Sequence, residues 1–166
     1  MAQPAAVVVA FSSRCGTTEG FAHAAAVGVV NARALPRLRR LADDGHPVPP
    51  ECADTFRRMR KEYVSPTEKD VVAAPALIIV PSAGMTPSSG EWQSFIALLD
   101  RLASAGMLTG KVGAVIDTGD RQTVMSFSST LAKCGFALLA ADGGDARTQG
   151  RAVGAAIMRT MHQPSR

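Results

Sequence analysis

VVVAFSSRCGTTE, residues 7–19, is the stretch that decides the fold of this protein. Its first five residues are all apolar and rich in valine, which is typical of a strand buried on both faces of a parallel sheet. The residues after Phe11 carry four hydroxyl groups and a glycine, and a helical pattern starts at Thr17. A strand, a polar loop and a helix N-terminus in this order predict a loop that surrounds a phosphate group.

Similar apolar runs recur along the chain and alternate with stretches of helical periodicity. We predict strands over 5–11, 76–81 and 112–116, weaker strands over 29–35 and 136–140, and helices over 17–27, 90–105, 122–134 and 148–161. The alternation implies right-handed crossovers and therefore a doubly wound α/β fold with three layers. With 46% hydrophobic residues, the chain of 166 residues is expected to form one domain, 1–166, with a sizeable core.

Residues 36–70 interrupt this alternation, because five of the chain's ten prolines lie there. The segment is predicted to be a loop-rich insertion that holds one basic helix over 51–62 and a second, short helix near its end. For the short helix, Ser65 is the expected cap and Glu68 the acidic residue three positions later.

The excess positive charge of the chain lies in one segment. Residues 33–61 hold eight Lys and Arg against four acidic residues, whereas the other 137 residues hold ten of each sign. Such a segment is typical either of a patch for nucleic acid or phosphate-bearing ligands, or of a solvated helical face. Because few aromatic residues interleave the charges, the solvated face is favoured and nucleic acid is not expected as a partner.

The cysteines, histidines and apolar runs exclude further classes of protein. Cys15, Cys52 and Cys134 are odd in number, and neither they nor the three histidines show the spacing of a metal site. We therefore expect reduced thiols, no metal and a cytoplasmic location. No apolar run approaches the ~18 residues that cross a bilayer, so membrane insertion is not expected.

The loop after the first strand contains the residues best suited to a phosphate. An anion there would meet unpaired backbone N–H groups, the positive end of the helix dipole and hydroxyl donors. Gly16 allows close approach and Arg14 adds positive charge, whereas an ordinary helix cap needs only one hydroxyl. Cys15 is either a reactive nucleophile or a cofactor contact, and the lack of a recognisable histidine or carboxylate partner favours the contact. The candidate phosphate contacts are Ser13, Arg14, Cys15, Gly16, Thr17 and Thr18.

Two further loops follow strands of the same sheet, and in an open parallel sheet ligands bind at this carboxyl edge. The loop after 76–81 consists mostly of small and turn-forming residues. It either forms an open surface against which a flat ring could lie or is a plain turn. In the next loop, Asp120 is equally suited to contact a ligand or to cap the following helix. Trp92 either borders the ring or belongs to the core, and its helical spacing with Phe95 favours the core. The candidate ring contacts are Pro81, Ser82, Ala83, Gly84, Met85, Thr118, Gly119, Asp120 and Arg121.

Other ligands of this architecture need motifs that are missing from the first loop. A P-loop requires G-x-x-x-x-G-K-[ST] and a dinucleotide site requires G-x-G-x-x-G, and neither is present there. A low-molecular-weight phosphatase requires C-x5-R, but Phe21 stands six positions after Cys15. A response-regulator receiver would place paired acids where Phe11 and Ser12 stand. Their exclusion leaves FMN as the best candidate ligand.

Several motifs, in their order along the chain, resemble the flavodoxin-like family and, within it, the WrbA-type NAD(P)H:quinone oxidoreductases. Residues 13–18 are similar to the S-x-x-G-x-T phosphate loop of that family. Further similar stretches are 65–68, 76–82, 90–95, 109–112, 131–136 and 146–151. The resemblance implies a flavodoxin-like three-layer α/β/α sandwich with a five-stranded parallel sheet of order 2-1-3-4-5. It also implies FMN held by the three loops, NAD(P)H as co-substrate, quinone-like acceptors and a homo-oligomer, either dimer or tetramer.

The chain departs from the WrbA-type pattern at the ring end of the site, which is the end where the flavin ring of FMN would lie. Ala83, Gly84 and Met85 replace aromatic and basic residues of the second loop, the third loop is shortened to residues 118–120, and Lys133 and Cys134 stand where a histidine is expected. Two alternatives to an FMN-dependent oxidoreductase therefore stay open. One is a flavodoxin-type electron carrier, although such carriers are usually acidic and this chain has a net charge of +4. The other is a flavin-poor binding or assembly protein that keeps only the scaffold.

Overall fold

Five parallel strands form the centre of the protein. The computed structural model describes residues 5–140 and 144–163. The strands are β1 (Ala6–Phe11), β2 (Leu35–Arg40), β3 (Ala76–Val80), β4 (Val112–Val115) and β5 (Ala137–Leu138). Their order in the sheet is β2-β1-β3-β4-β5, with every neighbouring pair parallel. The expected 2-1-3-4-5 sheet is confirmed.

The described part of the chain contains six α-helices, and five of them, all except the second, pack on the sheet. The six are α1 (Thr17–Asn31), α2 (Ala53–Glu62), α3 (Glu68–Ala73), α4 (Gly90–Ser104), α5 (Arg121–Lys133) and α6 (Ala146–Met161), and a 3-10 turn over Pro50–Cys52 precedes α2. The expected basic helix over 51–62 is thus present. No helix among the described residues is both long and apolar enough to cross a membrane.

Two hydrophobic cores lie on opposite faces of the sheet, because successive strand residues point to opposite sides. Val7, Val9 and Phe11 of β1 pack with α1 and α6, whereas Val8 and Ala10 pack with α3, α4 and α5. Both faces of β1 and β3 are therefore buried, which explains their unbroken apolar sequence. The α/β/α layering of the predicted fold follows from these two cores.

The second strand lies at a different place from the one predicted. Residues 29–31 complete α1, and Arg33 turns the chain with a positive φ of 66° before β2 starts at Leu35. β2 has the sequence LPRLRR, pairs with β1 and lies at the edge of the sheet. An edge strand has one open side, where proline and charged residues are tolerated, so it lacks the apolar run of a central strand. The predicted insertion over 36–70 therefore starts after β2, at residue 41.

The short helix α3 has a different cap from the predicted one. The hydroxyl of Thr67 accepts the Asp70 N–H at 3.2 Å, and the Asp70 carboxylate accepts the Thr67 N–H at 2.9 Å. This reciprocal pair is a capping box, and it replaces the expected pair of Ser65 and Glu68. Asp70 also accepts two hydrogen bonds from Arg39 of β2, at 3.0 and 3.1 Å, and so anchors the insertion to the sheet edge.

Candidate functional site

A cleft opens at the carboxyl ends of β1 and β3, where the strand order reverses. Its volume is about 430 Å³, which lies within the range of about 300–1,000 Å³ that is usual for small-molecule sites. The position is the one expected for ligands of an open parallel sheet. Residues from all three predicted loops line the cleft: Ser13, Arg14, Cys15, Thr17, Thr18, Ser82, Ala83, Met85 and Thr118.

The hydroxyl of Ser13 shapes the first loop from inside. Ser13 is buried, and its Oγ accepts the N–H of Gly16 at 3.1 Å and the N–H of Glu19 at 3.4 Å. Gly16 is the N-cap of α1 and has a φ of 93°, a left-handed conformation that favours glycine. Ser13 and Gly16 thus hold the loop in its curved form.

This curvature leaves several backbone donors free at the start of α1. The N–H groups of Cys15, Thr17 and Thr18 donate to no residue that the structure describes. For Thr17 and Thr18 this is a property of a first helical turn, whose N–H groups have no partner within the helix. Together with the positive end of the helix dipole, these donors form a site suited to an anion.

Two of the four hydroxyl groups bind neighbouring elements instead, that of Thr18 the second loop and that of Ser12 the helix α4. The Thr18 hydroxyl lies 2.7 Å from the Ser82 hydroxyl, which in turn donates to the carbonyl oxygen of Ser12 at 3.3 Å. Ser12 accepts the indole N–H of Trp92 at 3.1 Å, and Trp92 is fully buried beside Phe127. Trp92 therefore belongs to the core, as its helical spacing indicates.

Arg14 lines the cleft with a guanidinium group that two carboxylates already bind. Its Nη2 lies 2.9 Å from Oδ1 of Asp44 and 3.3 Å from Oε2 of Glu91. The Asp44 carboxylate also accepts the backbone N–H of His46, and these contacts lower its pKa. In this arrangement Arg14 gives the cleft no net positive charge.

Cys15 and Cys52 form a disulfide bond, so the expectation of three reduced thiols is wrong. Their Cα atoms lie 4.9 Å apart although 37 positions separate them in the sequence. Only the packing of the insertion on α1 brings them together, which spacing along the chain could not reveal. Cys134 is free and buried, and its thiol donates to Asp100. The argument from reduced thiols to a cytoplasmic location thus loses its basis, since disulfides are rare in that compartment.

The second and third loops are bonded to each other at the ring end of the cleft. The N–H of Gly84 donates to Oδ2 of Asp120 and to the hydroxyl of Thr123, both at 3.0 Å. Asp120 also accepts the N–H groups of Gln122 and Thr123, so it caps α5. The Thr118 hydroxyl donates to the carbonyl oxygen of Pro81 at 2.7 Å. Within the described part of the chain, six predicted residues do not line the cleft: Gly16, Pro81, Gly84, Gly119, Asp120 and Arg121.

Two lining residues, Phe21 and Glu91, are absent from the sequence prediction. Phe21 lies one helical turn after Thr17, so the spacing i, i+4 along α1 was the available signal. Glu91 stands in the first turn of α4, where acidic residues are common for reasons of helix stability. Only its contact with Arg14 reveals that it belongs to the cleft.

The basic segment holds a further residue of the site. Arg40 is 7% exposed and donates to the carbonyl oxygen of Ser13 and to Asp43. Its guanidinium also stacks over the ring of Phe56. Arg58 of α2 donates to both oxygens of Glu19, at 2.7 and 3.1 Å. Much of the positive charge over 33–61 is therefore engaged in internal contacts.

Glu19 forms the centre of a polar cluster that attaches α2 to α1. Its carboxylate is buried and accepts from Arg58 and from the Tyr63 hydroxyl, the latter at 2.6 Å. Because Tyr63 donates to Glu19, its oxygen accepts from the His23 Nε2 at 2.6 Å. The Arg58 hydrogen bonds, together with that of Tyr63, hold the pKa of Glu19 below its usual value. Burial and the Glu19 carboxylate raise the pKa of Tyr63.

Comparison with known proteins gives matches in structure only. No family model matches the chain, and no curated protein matches it significantly. A flavodoxin, WrbA-like protein from Agrobacterium tumefaciens is similar with a TM-score of 0.64 and 16% identity, over 93% of this chain and 98% of that one. The two-electron reduced flavodoxin of Megasphaera elsdenii is similar with a TM-score of 0.60 and 14% identity, over 89% and 98% of the two chains.

A third solved structure, the flavodoxin of Streptococcus pneumonia TIGR4, has a TM-score of 0.60 and 18% identity, over 92% of this chain and 99% of that one. The shared feature is the parallel sheet of order 2-1-3-4-5 between two helical layers. The sheet order and these structural matches together show that the chain has the flavodoxin-like fold.

Proposed function

We propose that this protein binds FMN in the cleft between β1 and β3 and transfers electrons from NAD(P)H to quinone-like acceptors. The observation that carries the proposal is the set of free N–H groups at Cys15, Thr17 and Thr18, aligned with the N-terminus of α1. The similarity of the fold to flavodoxins and to a WrbA-like protein supports it.

The phosphate end of the cleft fits the cofactor. A phosphate carries nearly two negative charges, which backbone N–H groups and a helix N-terminus stabilise without a cationic side chain. Thr17 is exposed at this position, and its hydroxyl is free to donate within the described part of the chain. Ser13 and Arg40 would hold the loop in shape from the buried side.

The ring end is lined by small and flexible side chains. Ala83, Met85 and Thr118 border the cleft there, and Phe21 contributes an aromatic face. These residues would position a flat ring and exclude water from one of its sides. When bound, FMN supplies the hydride and electron transfer chemistry, and protein groups position it.

A titration of FMN with the purified protein tests the first half of the proposal. We expect flavin fluorescence to be quenched with saturation, and the Thr17→Ala/Ser13→Ala variant to bind more weakly than the native chain. The second half is tested by adding NADH or NADPH without oxygen, which should bleach the flavin absorbance, and then a quinone, which should restore it. A flavin that stays oxidised in the presence of both nucleotides would exclude the oxidoreductase and favour a flavodoxin-type electron carrier.

A second candidate function has its own support in the structure. The Gly84 N–H is already bonded to Asp120 and Thr123, so it is not free to serve the polar edge of a ring. Arg14 is likewise engaged by Asp44 and Glu91. Both contacts favour a flavin-poor binding or assembly protein. Complete absence of fluorescence quenching in the same titration would select this alternative.

We further propose a homo-oligomer, as the resemblance to WrbA-type proteins implies, and, as a separate hypothesis, a cytoplasmic location. Light scattering coupled to size-exclusion chromatography measures the first property, with a dimer or tetramer expected. A monomer at all protein concentrations would contradict it. Fractionation of the source cells measures the second.

A further inference from the structure

The disulfide joins the N-termini of two helices. Cys15 directly precedes Gly16, the N-cap of α1, and Cys52 is itself the N-cap of α2. The two sulfur atoms thus lie where the positive ends of two helix dipoles meet. The carboxylates nearest to Cys52 in sequence, Glu51 and Asp54, are both exposed to solvent, and Asp54 pairs with Arg57. Glu19, the carboxylate nearest to Cys15, is bound by Arg58 at 2.7 Å.

Such a position favours the reduced form of the pair. A helix N-terminus stabilises a thiolate, and a stabilised thiolate is a good leaving group in thiol–disulfide exchange. The bond is also accessible from one side, because Cys15 is exposed whereas Cys52 is only 9% exposed. An exposed cysteine for attack and a buried cysteine as leaving group are the arrangement that directed exchange requires.

We propose that Cys15 and Cys52 are a redox-active pair, opened by dithiols through attack on Cys15, and that opening the bond weakens anion binding by the first loop. The pair's redox activity stands on its own, and the effect on binding rests on the proposed FMN site.

The exchange balances as a two-electron transfer. A thiolate of the dithiol attacks Sγ of Cys15, the bond between the two protein sulfurs breaks, and Cys52 leaves as a thiolate that takes up a proton. The second thiol of the reductant then attacks the mixed disulfide and releases Cys15. The dithiol is oxidised to its own disulfide, and the two protein cysteines are reduced to thiols.

The coupling to the cleft follows from the position of Cys15. Its N–H is one of the free donors of the loop, and the adjacent Gly16 packs against Thr55 of α2. The disulfide therefore presents the Cys15 N–H in a fixed position, and a ligand need not order it. The contacts of Arg58 and Tyr63 with Glu19 still attach α2 when the bond is open. Reduction is thus expected to loosen the loop without unfolding the protein.

The redox activity is tested on the full chain with Cys134→Ser, which leaves two cysteines. The protein is equilibrated with graded mixtures of reduced and oxidised dithiothreitol, free thiols are trapped by alkylation, and the mass is measured. We expect a reversible two-thiol step with unchanged far-ultraviolet circular dichroism. A bond that opens only in denaturant would overturn the proposal.

The accessibility of each sulfur atom, which sets the direction of attack, is tested with single variants that also carry Cys134→Ser. Oxidised glutathione is expected to modify Cys15 in Cys52→Ser quickly, and Cys52 in Cys15→Ser much more slowly. Equal rates would contradict attack at Cys15.

The coupling is tested by titrating FMN with the oxidised and the reduced protein. We expect binding by the reduced form to be about five- to thirtyfold weaker, which corresponds to ordering one further backbone residue. The Cys15→Ser/Cys52→Ser variant should bind FMN with the same affinity in oxidising and in reducing buffer. Equal affinities of the oxidised and reduced native protein would overturn the coupling alone. If neither form binds FMN, the proposed function and the coupling both fail, whereas the redox pair stands on its own titration.

Discussion

Arg40 donates two hydrogen bonds to the carbonyl oxygen of Ser13, from Nε at 3.1 Å and from Nη2 at 2.9 Å. The arginine belongs to the edge strand β2 and the serine to the loop that follows β1, so the contact ties the candidate phosphate loop to the sheet edge. Nη2 also donates to Asp43 at 2.8 Å. Composition alone assigns Arg40 to a basic surface, but the residue is buried and holds the loop of the cleft from the protein interior.

Replacement of this arginine should affect both stability and binding. In Arg40→Met the Ser13 carbonyl loses both of its hydrogen bonds, and Asp43 keeps only its longer contact with Arg60. A buried acceptor without a partner costs about 1–3 kcal/mol. We expect a free energy of unfolding lower by about that amount, measured in urea, and weaker quenching of FMN fluorescence.

Arg37→Met is the matched control, because Arg37 lies on the same strand and its side chain donates to no described residue. Its effect on the free energy of unfolding should stay within about 0.5 kcal/mol, as for most surface substitutions. Equal losses in the two variants would show that Arg40 has no special role.

Glu91→Gln should strengthen binding of a phosphate-bearing ligand. The substitution removes one of the two carboxylates that engage Arg14, which lowers the cost of turning its guanidinium toward an anion in the cleft. FMN titration at low salt is the measurement, and a gain of a few-fold is expected, since the Arg14–Glu91 contact is long at 3.3 Å and Asp44 still binds Arg14 in the variant. Glu68→Gln serves as control. It removes the partner of Arg101, which lies in the last turn of α4, whereas Glu91 lies in the first turn. Unchanged affinity in Glu91→Gln would mean that Arg14 takes no part in binding.

The Glu19 cluster predicts a specific dependence of stability on pH. The pKa of Glu19 is lowered in the folded protein, chiefly by the Arg58 hydrogen bonds, from an ordinary value of 4.5. A group with a lowered folded pKa contributes stability above its unfolded pKa and loses it as pH falls through the folded value. Between neutral pH and pH values below 4.5, Glu19→Gln should therefore lose less stability than the native chain.

Urea unfolding of both proteins at several pH values measures this difference. Glu62→Gln, which removes the exposed partner of Arg58, is the control and should follow the native profile. Parallel profiles for Glu19→Gln and the native chain would refute the assignment of this acid-labile stability to Glu19.

Helix α1 offers a matched pair of glycines for a test of its packing on α6. A methyl group at Gly28 would collide with the backbone of Arg147 and Arg151, whereas one at Gly20 would meet nothing. Gly28→Ala should destabilise the protein by about 1–3 kcal/mol through overpacking. Gly20→Ala should stabilise it by up to about 1 kcal/mol, because alanine has the higher helix propensity. Thermal unfolding measures both, and a stabilised Gly28→Ala protein would show that the two helices are less closely packed than the structure has them.

Local patterns predicted most of the central elements. The runs over 5–11, 76–81 and 112–116 correspond to β1, β3 and β4, and each differs from its strand by one residue at one end. Strands buried on both faces must be apolar throughout, so their sequence identifies them. Edge strands are under no such constraint, and for that reason β2 was misplaced at 29–35 although it spans Leu35–Arg40.

The candidate site also has a part that the sequence predicts and a part that it does not. The strand, loop and helix over residues 7–19 form through contacts within a few positions, such as that of Ser13 with Gly16, and were therefore predictable from the sequence. The partners of Arg14, Cys15 and Gly84 lie between 30 and 77 positions away.

The sequence by itself thus determined the order of strands and helices, the polar loop at the start of α1 and the glycine that lets it curve. The tertiary structure decided which charges remain free in the cleft, which loops bond to each other and that Cys15 has a partner. The physical reason is that crossovers of a parallel sheet bring distant segments to one edge. Hydrogen bonds, ion pairs and disulfides between those segments depend on side-chain positions that periodicity along the chain does not encode.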